Sequence, residues 1–102
     1  MRRGTTPTLT FTTPYAAALV ESGYISFAQR GADVLDVSLT DPAVTIEDQS
    51  ISVTLTQEQT LLFTTADTVK IQIRAVLASG KAVASNIVTD NVCPILKDGE
   101  IG

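Results

Sequence analysis

A chain of 102 residues has the size of one domain, and 44% apolar against 18% charged residues suits a packed core and excludes a disordered segment. Seven Lys and Arg against 11 Asp and Glu leave a formal net charge of −4, which opposes a phosphate backbone, so no nucleic acid is expected as a partner. The single cysteine, Cys93, can form no internal disulfide, and a chain without histidine lacks both zinc-site spacing and the usual general base.

The first strand is expected over residues 6–12, where Leu9 and Phe11 face one way and Thr8, Thr10 and Thr12 the other. Pro14 ends it, and residues 15–18 form a connection with a helical turn. A second strand over residues 19–29 turns Ile25 and Phe27 inward, with Gly23 marking a bulge. Arg30-Gly31-Ala32-Asp33 supplies a hairpin turn, and residues 34–38 return antiparallel with Leu35 and Val37 on one face. Asp41-Pro42 breaks the chain, because the residue before proline avoids the helical region and proline donates nothing to a ladder. Val44 and Ile46 then form a short strand, and Glu47-Asp48-Gln49-Ser50 makes the next turn.

Residues 51–63, ISVTLTQEQTLLF, carry the most explicit local signal. Ile51, Val53 and Leu55 alternate with Ser52, Thr54 and Thr56, which is a half-buried strand. Thr56 stands three residues before Gln59 and predicts a capping box with a helix starting at Gln57, supported by Glu58 near its positive end. Thr60 falls where a hydrophobic staple wants an apolar side chain, so the helix is expected to be short, with Leu61 and Leu62 plugging the end of the fold. Residues 64–68 carry the chain back. Val69, Ile71, Ile73 and Ala75 then alternate with Lys70, Gln72 and Arg74, so a one-residue slip would bury charge. Ser79-Gly80 closes a hairpin to a last strand over residues 82–92.

Short strands at regular spacing, one brief helix and no alternation of strands with helices predict an all-β fold. The expectation is an immunoglobulin-like antiparallel β-sandwich of six to eight strands with one short helix near residues 57–62. An open barrel is the alternative. The missing cysteine pair and core tryptophan exclude an antibody-type domain. One domain is expected over residues 1–102, with a core of about 5–93 and a C-terminal extension over 94–102. No run is long and apolar enough for a membrane helix, and Met1-Arg2-Arg3 leads into threonines where a secretory signal needs apolar residues. A soluble cytoplasmic chain with no membrane partner is therefore expected.

The sequence carries no GxSxG, HExxH, Walker or dinucleotide motif, so no catalytic residue, cofactor or metal is assigned and no enzyme is expected. Cys93, between Val92 and Pro94, reads as a buried structural thiol. Asp33, Asp36 and Asp41 lack the spacing of a calcium loop and read as turn residues. Candidate partner contacts lie in two places. Lys70, Gln72 and Arg74 line the polar face of a strand, and Ile95, Leu96 and Ile101 lie beyond the last one, where they fold back or pack on a neighbouring subunit of a homo-oligomer.

Taken together, ISVTLTQEQTLLF, VKIQIRAVLASGKAVASN and ILKDGEI resemble short structural proteins encoded in phage and prophage gene clusters of Gram-positive hosts. The chain is also similar, more loosely, to the immunoglobulin-like N-terminal domain of phage baseplate upper proteins, which likewise open with a Gly-Thr-rich strand, here Gly4-Thr5-Thr6-Pro7-Thr8. The resemblance covers most of the chain, but this sequence ends where baseplate upper proteins continue into a binding region. It implies a non-enzymatic tail or baseplate accessory module that contacts other phage structural proteins, in the host cytoplasm during assembly and then in the virion. The alternative is a carbohydrate-binding attachment module using the rings of Tyr15 and Tyr24.

Overall fold

The structure, a computed structural model, describes residues 1–13, 16 and 19–102. The connection expected over residues 15–18 and the strand end at Pro14 lie, Ala16 apart, outside the described residues. Eight strands and one short helix follow in chain order: β1 (Thr8–Thr12), β2 (Val20–Gln29), β3 (Ala32–Ser38), β4 (Val44–Glu47), β5 (Ser50–Thr54), α1 (Gln57–Thr60), β6 (Val69–Leu77), β7 (Ala82–Ala84) and β8 (Val88–Asp90). They make an antiparallel β-sandwich, as the period-two patterning predicts. One sheet has the order β1-β5-β4, and the other the order β3-β2-β6-β7 with β8 also on β6. The architecture is immunoglobulin-like in its two packed sheets, while the strand order keeps each of the hairpins β2–β3, β4–β5 and β6–β7 within one sheet.

The inward faces are the ones the alternation marks. Ile25, Phe27, Val69, Ile71, Ile73 and Ala75 from the larger sheet meet Ile51, Val53 and Leu55, all buried, with Leu9 and Phe11 half-buried beside them. Each large side chain so buried contributes roughly 1.5–3 kcal/mol relative to exposure. The capping box forms as predicted: the Gln59 amide donates to Thr56 Oγ1 at 3.1 Å, and the Thr56 amide donates to Gln59 Oε1 at 2.9 Å.

Several details depart from the sequence reading. Thr60 is fully buried, and its hydroxyl reaches the carbonyls of Thr5 at 3.0 Å and Gln57 at 3.1 Å, so a polar residue at the staple position ties the helix to the N-terminal segment. The end of the sandwich is plugged by Phe63 against Phe27, ring centroids 5.8 Å apart, while Leu62 is exposed and Leu61 half-buried. The bulge expected at Gly23 sits at Glu21, where the β2–β6 register shifts between Val20 and Ser22. Gly23 serves close packing instead, because a Cβ there would lie 2.2 Å from the Arg74 carbonyl oxygen. The long last strand is split in two, with Ser85 Oγ taking the Ile73 amide at 2.9 Å at the break. Cys93 is half-buried and not buried as expected, and its own backbone pairs with the N-terminal segment: Arg2 bridges to Cys93, and the Arg3 amide donates to the Cys93 carbonyl at 3.2 Å.

One buried polar residue escaped the sequence reading. Gln29, at the end of β2, accepts from the Thr64 amide at 2.9 Å and donates to the carbonyls of Thr64 at 2.8 Å and Asp67 at 2.9 Å. Gln29→Leu should cost about 2–3 kcal/mol in a urea melt, because it removes the three hydrogen bonds by which a buried side chain holds the Thr64 and Asp67 backbone.

Candidate functional site

Period-two alternation turns the even-numbered side chains of β6 to the outside of the larger sheet, so Lys70, Gln72 and Arg74 share one face as predicted. The β2–β6 register adds Tyr24, directly opposite Arg74, and Ser26, opposite Gln72. Val76 continues the β6 row opposite Ser22. Tyr24 and Val76 are 55% and 39% exposed, which makes the centre of this face an aromatic, an aliphatic and a cation in adjacent rows. Ser22, Ser38, Ala82 and Ala84 surround them with short side chains, and a shallow depression over Tyr24, Arg74 and Val76 results. The three predicted residues are not equivalent. Gln72 Nε2 donates to the Ser85 carbonyl at 3.0 Å and supports the split between β7 and β8, whereas Lys70 and Arg74 are exposed and enter no ion pair among the described residues.

At the β3 border of this face, Asp33 and Asp36 come together through a bulge. Phe27 pairs with Leu35 and Ala28 with Asp33, leaving Val34 as the extra residue, so two carboxylates three positions apart point the same way. The hydrogen bond with Asp36, then burial and the Asp36 charge, raises the Asp33 pKa, whereas the bonds with Asp33 and Ser26 lower that of Asp36. The native state therefore holds a proton on Asp33 to a higher pH than the unfolded chain does, and Asp33 on its own loses stability as pH rises through its folded pKa. Asp36 has the opposite sign and contributes stability above its unfolded pKa. Asp33→Asn should raise the thermal midpoint at pH 7, with the gain disappearing as pH falls below the carboxylate range and Asp33 itself becomes neutral.

Among the described residues, no group of three or more His, Cys, Asp and Glu side chains converges on a metal-sized site, and no helix is long and apolar enough to cross a membrane. No family model matches the chain, and neither does any curated protein. The contact faces therefore rest on geometry.

The C-terminal candidates sit elsewhere and behave differently from one another. Ile95 folds back, its Cδ1 2.8 Å from where a Cβ on Gly4 would stand, and is half-buried. Gly4 adopts φ +70, a conformation that suits glycine, and its missing side chain makes the room. Leu96 is fully exposed. Ile101 has an exposed side chain, but its backbone is clamped by the Gln57 carboxamide, which accepts from its amide at 2.8 Å and donates to its carbonyl at 3.0 Å. Arg3 fastens the same segment: Nε donates to the Phe63 carbonyl at 2.6 Å, Nη2 to the Leu61 carbonyl at 3.1 Å, and Nη1 pairs with Asp98 at 3.3 Å. The tail is thus clipped to the first residue of α1 through Gln57 and to the N-terminal segment through Arg3, away from the β6 face. Tyr24 carries an exposed ring, while Tyr15 lies outside the described residues.

Proposed function

We propose that this domain is a non-enzymatic assembly module of a phage or prophage particle, a tail or baseplate accessory protein that docks on other structural proteins. Its path is assembly in the host cytoplasm and then residence in the virion. The observation that carries the contact reading is the outer β6 face, where Tyr24, Arg74 and Val76 stand exposed side by side. Tyr and Arg are the residue types that dominate binding energy when a partner covers them, and short neighbours let a partner approach closely. Lys70 belongs at the rim, and Leu96 offers a second anchor on the clipped tail. The particle assignment rests on the sequence resemblance.

Two measurements separate these elements. Particles purified after prophage induction are to be probed for the protein by immunoblot; its presence in the lysate but absence from particles would overturn the virion assignment. Affinity for whichever structural protein co-purifies should fall by roughly tenfold or more in Tyr24→Ala or Arg74→Ala, the loss expected of a hot-spot residue. Unchanged affinity in both would remove this face. A single exposed ring supports the carbohydrate reading, and glycan binding that vanishes in Tyr24→Ala would favour it.

A further inference from the structure

A sandwich of two open sheets has four edges, and each presents unpaired backbone groups that invite another strand unless something blunts them. Three are blunted here. β3 carries Asp33, Asp36 and a bulge at Val34; β4 has four residues and ends in Glu47; β7 and β8 are three-residue strands separated by a break. β1 carries no charge or bulge, and the proline before it, Pro7, stands at a position that faces β5, so its missing amide takes nothing from the outer edge. Its sequence TLTFT holds no charge, proline or glycine, its register with β5 is unbroken over five residues, and no described strand lies on its other side.

The ladder shows which backbone groups are free. The Pro7 carbonyl accepts from the Leu55 amide at 3.0 Å, and the Thr13 amide donates to the Gln49 carbonyl at 2.8 Å, so odd-numbered positions exchange bonds with β5. The even positions are the close, non-bonded pairs, in which Thr8 and Thr54 hydroxyls meet at 2.8 Å and Thr10 and Ser52 at 3.0 Å. The N–H and C=O groups of Thr8, Thr10 and Thr12 consequently point away from the sheet. Beside them a groove of about 830 Å3 opens between β1 and β8, floored by Leu9, Phe11, Ile71 and Val88.

We propose that β1 is a self-pairing edge: a second copy adds its own β1 antiparallel about a two-fold axis through Thr10, joining the two three-stranded sheets. The motif is self-complementary in that register. Thr8 faces the partner's Thr12, Thr10 faces the partner's Thr10, and Leu9 lies beside the partner's Phe11 on the groove side, so hydroxyl meets hydroxyl and apolar meets apolar. The self-complementary register argues for a second copy, and charge leaves β1 as the edge at which that copy is least opposed. Two chains of net charge −4 repel, and self-pairing through β3 would oppose Asp33 and Asp36, whereas β1 is neutral throughout. The pairing uses the edge alone and holds whether or not the β6 face docks a virion component.

Sedimentation equilibrium tests it. The chain should move from its 10.8 kDa monomer mass to twice that value as concentration rises. The dissociation constant is expected in the range of roughly 1–100 µM, fitting a short ladder. Thr8→Lys with Thr12→Lys places like charges opposite each other at two symmetric positions and should weaken association roughly tenfold or more. Thr8→Lys with Thr12→Glu, which makes those positions complementary, should restore it. Thr10→Pro, which removes an amide that does not face β5, should give a folded monomer by circular dichroism. A wild-type chain that stays monomeric to about 1 mM, or a dimer indifferent to both charge pairs, would overturn the proposal.

Discussion

Gly23→Ala should be among the most damaging single-methyl additions in this chain, lowering stability by about 3 kcal/mol or more and shifting the urea midpoint accordingly. The new Cβ would stand 2.2 Å from the Arg74 carbonyl oxygen, 2.8 Å from Ala75 Cα and 2.9 Å from Leu39 Cδ1. Two of those three atoms are backbone of β6, the strand that pairs with β2 along almost its whole length, so no side chain can rotate to make room. Relief would require the centre of the larger sheet to separate, and the Leu39 amide, which donates to the Gly23 carbonyl at 2.9 Å, would be displaced with it. A variant with wild-type stability would show that the two strands are farther apart than the structure places them.

Phe63→Ala should cost about 3–5 kcal/mol, the range for truncating a fully buried aromatic. Phe63 is 1% exposed and its ring lies tilted at 51° against Phe27, so the substitution removes both apolar burial and an aromatic pair at the closed end of the sandwich. Its carbonyl is also the acceptor of the short Arg3 bond, which ties any movement of residue 63 to the clipped tail. Leu62→Ala is the control. It lies next in sequence yet is 53% exposed, and it should change stability by less than about 0.5 kcal/mol. Equal losses for the two variants would contradict the assignment of Phe63 as the plug.

The exchange of Leu62 for Phe63 shows where the sequence was readable and where it was not. Every strand whose inward face alternates over several residues was legible, because burial selects period two directly: β5, β6 and the inner half of β2 behave as their patterns dictate. The capping box was legible because its two partners are three residues apart in the chain. A one-turn helix is too short to establish a phase, so which residue after Gln59 turns inward depended on the Phe27 ring, far away in sequence. The same holds for Gln29, whose partners at Thr64 and Asp67 lie across the fold, and for the bulges at Glu21 and Val34, where one added residue leaves no compositional mark. Of the contact candidates, Lys70 and Arg74 were legible as outward residues of an alternating strand. Their neighbour Tyr24 required the β2–β6 register, and the folding back of Ile95 required the space left by Gly4.

The Gln29 carboxamide has a consequence for motion as well as for stability. Thr64 belongs to a connecting segment with neither helix nor strand, where amides ordinarily swap hydrogen for deuterium through small local openings. Its N–H is held by a side chain rooted in β2, so it can be released only when that strand's end opens. The Thr64 amide should accordingly exchange with the slow amides of the sheet, while the neighbouring exposed backbone exchanges early. In its dynamics the segment belongs to β2, although in sequence it lies next to α1.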